Sequence, residues 1–162
     1  RRALPSFQAM GTTVRHMGPA GTGTVAKLVN QLLVGIHSVA AAEAMLLAAK
    51  SGADPALVFE VVNSGWGQSF MLARNAPVML DRSFDDARAP LRTLLKDLLL
   101  IQELVRKLDA PTPGADLAFR LFSEAAAAGL GDLDGPAVVL PMEERAGCRI
   151  HRLSPNRPVS DS

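Results

Sequence analysis

Apolar residues recur from about Thr24 to about Lys50 at spacings of three and four. Val25, Leu28, Val29, Leu32, Leu33, Ile36, Val39, Ala40 and Leu47 all fall close to the helical period. The pattern predicts one helix, roughly 40 Å long at a rise of ~1.5 Å per residue. Its second half, "SVAAAEAMLLAA", offers little bulk, so neighbouring helices can approach closely. This helix is expected to be central and mostly buried. "SGADP" ends it: Gly52 suits the C-terminal cap, Asp54 the next N-cap and Pro55 the first helical position. Shorter helices are predicted over about Pro55–Asn63, Gln68–Leu80, Leu91–Leu108 and Ala115–Ala128. The third of these has Leu91, Leu94, Leu95, Leu98, Leu99 and Leu108 on its apolar side.

Between the helices lie the breakers "NSGWG", "DRSFDDARAP" and "DAPTPGAD". Ahead of the long helix, Thr12–Met17 could form one short strand, and Gly18–Gly23 reads as a loop. "GLGDLDG" closes the regular part, and "RAGCRIHRLSPNRPVSDS" carries no periodicity and is expected to be loose. Six or so helices with almost no strand predict an all-α domain, a helical bundle around one long central helix.

Composition adds exclusions. The 162 residues suit one domain, and 48% apolar residues suffice for a core. A net charge of +1 with scattered basic residues argues against nucleic-acid binding. A single cysteine, Cys148, rules out an internal disulfide and a cysteine-based metal site. His16, His37 and His151 lie far apart, without ligand spacing, so no metal site is expected. The N-terminus has no apolar core of the signal-peptide kind, and the apolar runs are interrupted by Lys, Asn, Gln, His or Glu. No membrane span and a cytoplasmic location are therefore expected. Position 1 is Arg, not Met, as in a piece of a longer protein.

The densest chemistry is "GPAGTGTVAKLVNQ", Gly18 to Gln31. Gly21-x-Gly23-x-x-Ala26 formally matches the dinucleotide fingerprint, with Glu43 about 20 residues on. The context argues against it, because Glu43 falls inside a long helix and not at the end of a second strand. A P-loop would need a lysine directly after Gly23. A third reading fits better. Gly21 and Gly23 let a ligand approach the backbone, and the free N–H groups at a helix start favour an anion such as a carboxylate. Lys27 sits about one turn inside, and Asn30 lies near the same face. Against this, a lysine early in a helix is commonly a solvated surface residue.

These stretches, with "AAEAMLLAAKSGADP", "LLKDLLL" and "GLGDLDGPAV", resemble the C-terminal helical domain of the β-hydroxyacid dehydrogenases. That family includes 3-hydroxyisobutyrate dehydrogenase, tartronate semialdehyde reductase and L-threonate dehydrogenase, and its helical domain is similar to that of 6-phosphogluconate dehydrogenase. The resemblance covers about Arg15 to Val139. It implies a three-part division: residues 1–17 as the end of an N-terminal Rossmann domain, 18–140 as the helical domain, and 141–162 as an irregular tail replacing the family's last helix.

The resemblance also implies roles. Lys27 would be the catalytic residue, relaying the proton of a small β-hydroxy acid's hydroxyl as the hydride leaves for the nicotinamide. Burial and the helix dipole would lower such a lysine's pKa. Gly21, Thr22 and Gly23 would border the substrate. The family's substrate amide falls on Asn30 or Gln31, and the sequence leaves the choice open. Lys96 would reach toward the cofactor, unless it is simply a solvated charge. Trp66 would rim the substrate pocket or anchor helix packing. His37 reads as a core or interface histidine, and Asp97 as a helix-end or salt-bridge residue. NAD or NADP would be bound mainly by a domain not in this chain, leaving it inactive alone. Pairing through the helical domain, as a homodimer or homotetramer, is the alternative, non-catalytic role.

Overall fold

The computed structural model describes residues 4–153. It is an all-α bundle, with no β-strand among the described residues and only an isolated bridge between Pro90 and Asp134. The long helix is α2 (Thr22–Lys50), preceded by the short α1 (Leu4–Met10). Around α2 pack α3 (Pro55–Asn63), α4 (Phe70–Asp81), α5 (Leu91–Leu108), α6 (Pro113–Ala125) and a 3-10 turn (Gly135–Val139). The last helix among the described residues is α7 (Leu140–Ala146).

Local chemistry sets most of these ends. Asp54 accepts the N–H of Ala56 at 2.9 Å, with Pro55 in the first turn of α3. Ser69 accepts the N–H of Leu72 at 3.0 Å and starts α4. Gly52, at φ 84, turns the chain out of α2.

Several expectations are corrected. Thr12–Met17 is irregular; no neighbouring strand offers it a ladder, and all of it but Val14 is exposed. The loop before α2 ends at Gly21, the N-cap, which takes the left-handed φ of 97, and Thr22 and Gly23 already belong to the helix. The helix expected to reach Ala128 leaves the α geometry after Ala125, passing into a π turn over Ala126–Leu130 that ends around Gly129 at φ 83. Beyond "GLGDLDG", where an irregular tail was expected, α7 forms and Ile150 is fully buried. The backbone N–H of Ile150 donates to Glu143 Oε1 at 2.7 Å, and Arg82 Nη1 donates to both carboxylate oxygens of Glu143 at 2.6 and 2.8 Å. The rest of the expected loose tail, residues 154–162, lies outside the described residues.

The long helix is central but not mostly buried. Leu28, Val39, Ala42 and Met45 enter the core with Met79, Leu91, Leu98, Phe122 and Val138. On its other side Val25, Val29, Leu33 and Leu47 are 42%, 52%, 47% and 71% exposed. By length and composition α2 could cross a bilayer, but α3 to α6 pack along it, and at its middle Ser38 accepts a hydrogen bond from buried Asn75. It is the core helix of a bundle.

Where α2 meets α5 the two run very close. A Cβ on Gly35 would stand 2.8 Å from Leu98 Cδ2. Only a glycine leaves room for Leu98 in its present position, and Leu98 is the residue directly after Asp97. A buried polar knot ties the other side: Arg74 Nη2 donates to Asp134 at 2.7 and 2.9 Å, and Asp134 also accepts the N–H groups of Ala89 and Gly135.

Candidate active site at the start of the long helix

Lys27 and Gln31 stand one turn apart on α2 and therefore share a face. Both reach the same carboxylate on α5. Lys27 Nζ donates to Asp97 Oδ1 at 2.9 Å, and Gln31 Nε2 donates to Asp97 Oδ2 at 2.8 Å. Asn30 Nδ2 in turn donates to Gln31 Oε1 at 3.1 Å. The close α2–α5 contact at Gly35 and Leu98 brings the two helices together beside this group.

The ion pair is lopsided. The Asp97 side chain is 4% exposed and that of Lys27 is 57% exposed. Burial by itself would raise the Asp97 carboxyl's pKa. The hydrogen bonds from Lys27 and Gln31, with the charges of Lys27 and Lys96, outweigh burial and hold it below its ordinary value. Asp97 is therefore an anion fixed in the wall, and Lys27 is a cation with its head in the open. The burial of Lys27 expected from the sequence is not supplied by the described residues.

Immediately before Lys27, α2 begins without a side-chain cap. The Thr22 N–H donates to Pro19 O at 3.2 Å, and its hydroxyl donates to the same oxygen at 2.8 Å. The next amides, on exposed Gly23 and Thr24, belong to the first turn, where no intrahelical acceptor exists. A Cβ placed on Gly21 or Gly23 would meet nothing within 4 Å, so the surface beside the helix start is open.

Gly21, Thr22, Gly23, Lys27, Asn30 and Gln31 thus lie together along the first turns of α2. Lys96 is exposed on α5, next to Asp97, and near enough for its charge to bear on that carboxylate. Trp66 is fully exposed in the loop between α3 and α4, so it does not anchor packing among the described residues. His37 is half-buried in α2, and Glu43 is an exposed mid-helix residue, which removes the acid that a dinucleotide fingerprint requires. The salt-bridge reading of Asp97 holds, but its partner is Lys27 itself. The local signal was a single acid set among leucines in "LLKDLLL". A cleft of about 350 Å³ lined by Arg74, Asp86, Arg88 and Asp134 shares no residue with this group. Among the described residues no three His, Cys, Asp or Glu side chains gather as a metal site.

A family model described as "NAD-binding of NADP-dependent 3-hydroxyisobutyrate dehydrogenase" matches residues 21–142. The chain belongs to the β-hydroxyacid dehydrogenase family. It is 38% identical over 145 residues to an uncharacterized oxidoreductase of Synechocystis, covering 88% of this chain and 48% of the relative. It is 33% identical over 139 residues to the L-threonate dehydrogenase of Escherichia coli K12, covering 85% and 46%. A solved 3-hydroxyisobutyrate dehydrogenase from Salmonella typhimurium superposes with a TM-score of 0.82 at 33% identity, over 86% of this chain and 49% of that one. The chain spans about half the length of these dehydrogenase-family relatives. Since the described residues hold no strand, they provide no βαβ cradle for a dinucleotide's pyrophosphate.

Proposed function

We propose that this chain is the helical, substrate-holding half of an NAD(P)-dependent oxidoreductase acting on a small β-hydroxy acid of the 3-hydroxyisobutyrate, glycerate or threonate type. The observation that carries this reading is Lys27: an exposed ammonium anchored at 2.9 Å to a buried carboxylate, beside an uncapped, glycine-lined helix start. The names of relatives, L-threonate dehydrogenase and 2-hydroxy-3-oxopropionate reductase, point to the same class of substrate.

The division of labour follows from charge. The free amides of Gly23 and Thr24 and the dipole of α2 favour the substrate's carboxylate. Lys27 then faces the substrate oxygen and handles its proton: in reduction the ammonium donates a proton to the carbonyl oxygen as general acid, and in oxidation the neutral amine, its proton first given to solvent, takes the hydroxyl proton as general base. Asn30 or Gln31 orients the substrate, and Lys96 lies toward the cofactor. NAD(P), when bound, supplies the hydride acceptor. On this reading the 162 residues do not turn over alone, because a dinucleotide needs a cradle that these helices lack.

The test uses the full product of the reading frame that encodes this chain, assayed with NAD+ and NADP+ against a panel of β-hydroxy acids. Turnover is expected there and not in the 162-residue chain. Lys27→Ala should lower kcat by about a thousandfold, within the range that general acid–base groups contribute, while leaving the circular dichroism spectrum unchanged. Undiminished turnover in that variant would remove Lys27 from the mechanism.

A second reading, association of copies through the helical domain, is favoured by the exposed apolar stripe Val25, Val29 and Leu33. It is compatible with the first and is tested by solution mass.

A further inference from the structure

The carboxylate that meets Lys27 has a second partner, and the two contacts together fix a direction of hydrogen bonding. We propose that Asp97 is the positioning residue of this site: it holds Lys27 and Gln31 in fixed relation and leaves Asn30 as the amide that faces the substrate. The kinetic part of this inference rests on the dehydrogenase reading; the structural part does not.

An ionised carboxylate only accepts hydrogen bonds. Asp97 Oδ1 takes Lys27 Nζ at 2.9 Å, so Oδ2 can face only the NH2 end of Gln31, as it does at 2.8 Å. Gln31 must then present its carbonyl oxygen on the other side, where it accepts from Asn30 Nδ2 at 3.1 Å. Every amide in the row is oriented by the one buried charge, and the donors run Asn30 to Gln31 to Asp97. Gln31 has a partner at both ends. Asn30, exposed, keeps its carbonyl oxygen and one N–H for a ligand, and Lys27 keeps two of its three N–H bonds.

The contrast in burial supports the assignment. A lysine stem of four carbons is flexible, and with its side chain 57% exposed nothing else in the group fixes its head. Asp97 is itself fixed by burial on α5 beside Leu98, which abuts Gly35 of α2. The charges facing Asp97 are Lys27 across the helix interface and Lys96 on its own helix, and both keep it ionised. Between Asn30 and Gln31, left open by the sequence, the inference therefore falls on Asn30, which is the more exposed of the two and has its carbonyl oxygen wholly unpaired, whereas Gln31 keeps one N–H and one lone pair.

The experiment has two arms. In the 162-residue chain, the Asp97 carboxyl carbon is followed by NMR through an acid titration. Its midpoint should lie below that of an exposed aspartate and should rise in Lys27→Met; an unmoved midpoint overturns the inference. In the full reading-frame product, Asp97→Asn should lower kcat by about tenfold or more, the size expected from misplacing a reacting group, with KM changed by less than about threefold. Asp97→Glu should restore part of the loss. Gln31→Ala, which does not threaten the fold, should resemble Asp97→Asn, whereas Asn30→Ala should raise KM. If Gln31→Ala raises KM and Asn30→Ala does not, the assignment is reversed and the inference fails. If the wild type turns over no hydroxy acid while Asp97 still titrates low and responds to Lys27→Met, the dehydrogenase reading falls and the positioning contact stands.

Discussion

Asp97 carries its charge in a nearly closed setting because two donors from α2 converge on it. A carboxyl that titrates lower in the folded chain than in the unfolded one stabilises the fold above about pH 4, and that contribution is lost as pH falls through the folded value. Asp97→Asn cannot titrate. The gap in melting temperature between wild type and Asp97→Asn should therefore be widest above about pH 5 and shrink toward about pH 2. A gap that stays constant by differential scanning fluorimetry across that range contradicts the ion pair. At this scale Lys27 was legible, because the glycines, the lysine and the amides lie within one short stretch. Its anchor was not, since Asp97 lies seventy residues away and only the packing of two helices joins them. The packing-anchor reading of Trp66 misled for a related reason: an aromatic in a loop says nothing of what covers it, and no described residue does.

Helix α5 can deliver Asp97 only if it runs close to α2, and Gly35 is where that closeness is decided. An alanine there would be met by the tip of Leu98, a flexible end that can yield. A leucine would not fit without moving α5. Gly35→Leu should cost about 1–3 kcal/mol, as overpacked cores do, measured by urea unfolding. It should also weaken the Asp97 contact, seen as a higher Asp97 titration midpoint. Unchanged stability would show that the helices are not held at this crossing. Element boundaries were readable where a local signal exists: α3 runs Pro55–Asn63 because Asp54 and Pro55 start it, and α5 runs Leu91–Leu108 as its leucine pattern predicts. The buried face of α2 was not readable, because Val25, Val29 and Leu33 are as apolar as Leu28 and repeat at the same spacing. Period alone cannot assign sides to a helix that is apolar all round. The short α7 was missed because seven residues carry too little periodicity; its place is fixed by Glu143 gripping Arg82 and Ile150.

Across the whole molecule, polar chemistry and exposed apolar surface lie on opposite sides of one helix. Val29 follows Lys27 by two positions, about 200° around an α-helix, so the stripe of Val25, Val29 and Leu33 faces away from Asp97. If copies pair through this stripe, the pairing leaves the Lys27 side open. The double variant Val29→Glu, Leu33→Glu should then halve the mass seen by light scattering while leaving the Asp97 titration unchanged. A wild-type chain that is monomeric at high concentration would dismiss the pairing. The overall architecture was legible, an all-α bundle on one long helix, because helical period and terminal signals recur throughout. The closure of its far end was not, because Ile150 sits in a run without pattern. That closure bears on how the chain is made. Ile150, fully buried, fits between groups from α4 and α7 that leave the ribosome before it does. Until it emerges, every helix can exist but the core has an open seat, and for that interval Arg82 and Glu143 have each other but no backbone to hold. Synthesis proceeds from the N-terminus, so this seat is filled only after the helices around it have been made, and a nascent chain stalled just short of Ile150 would be the form that proteases and chaperones meet.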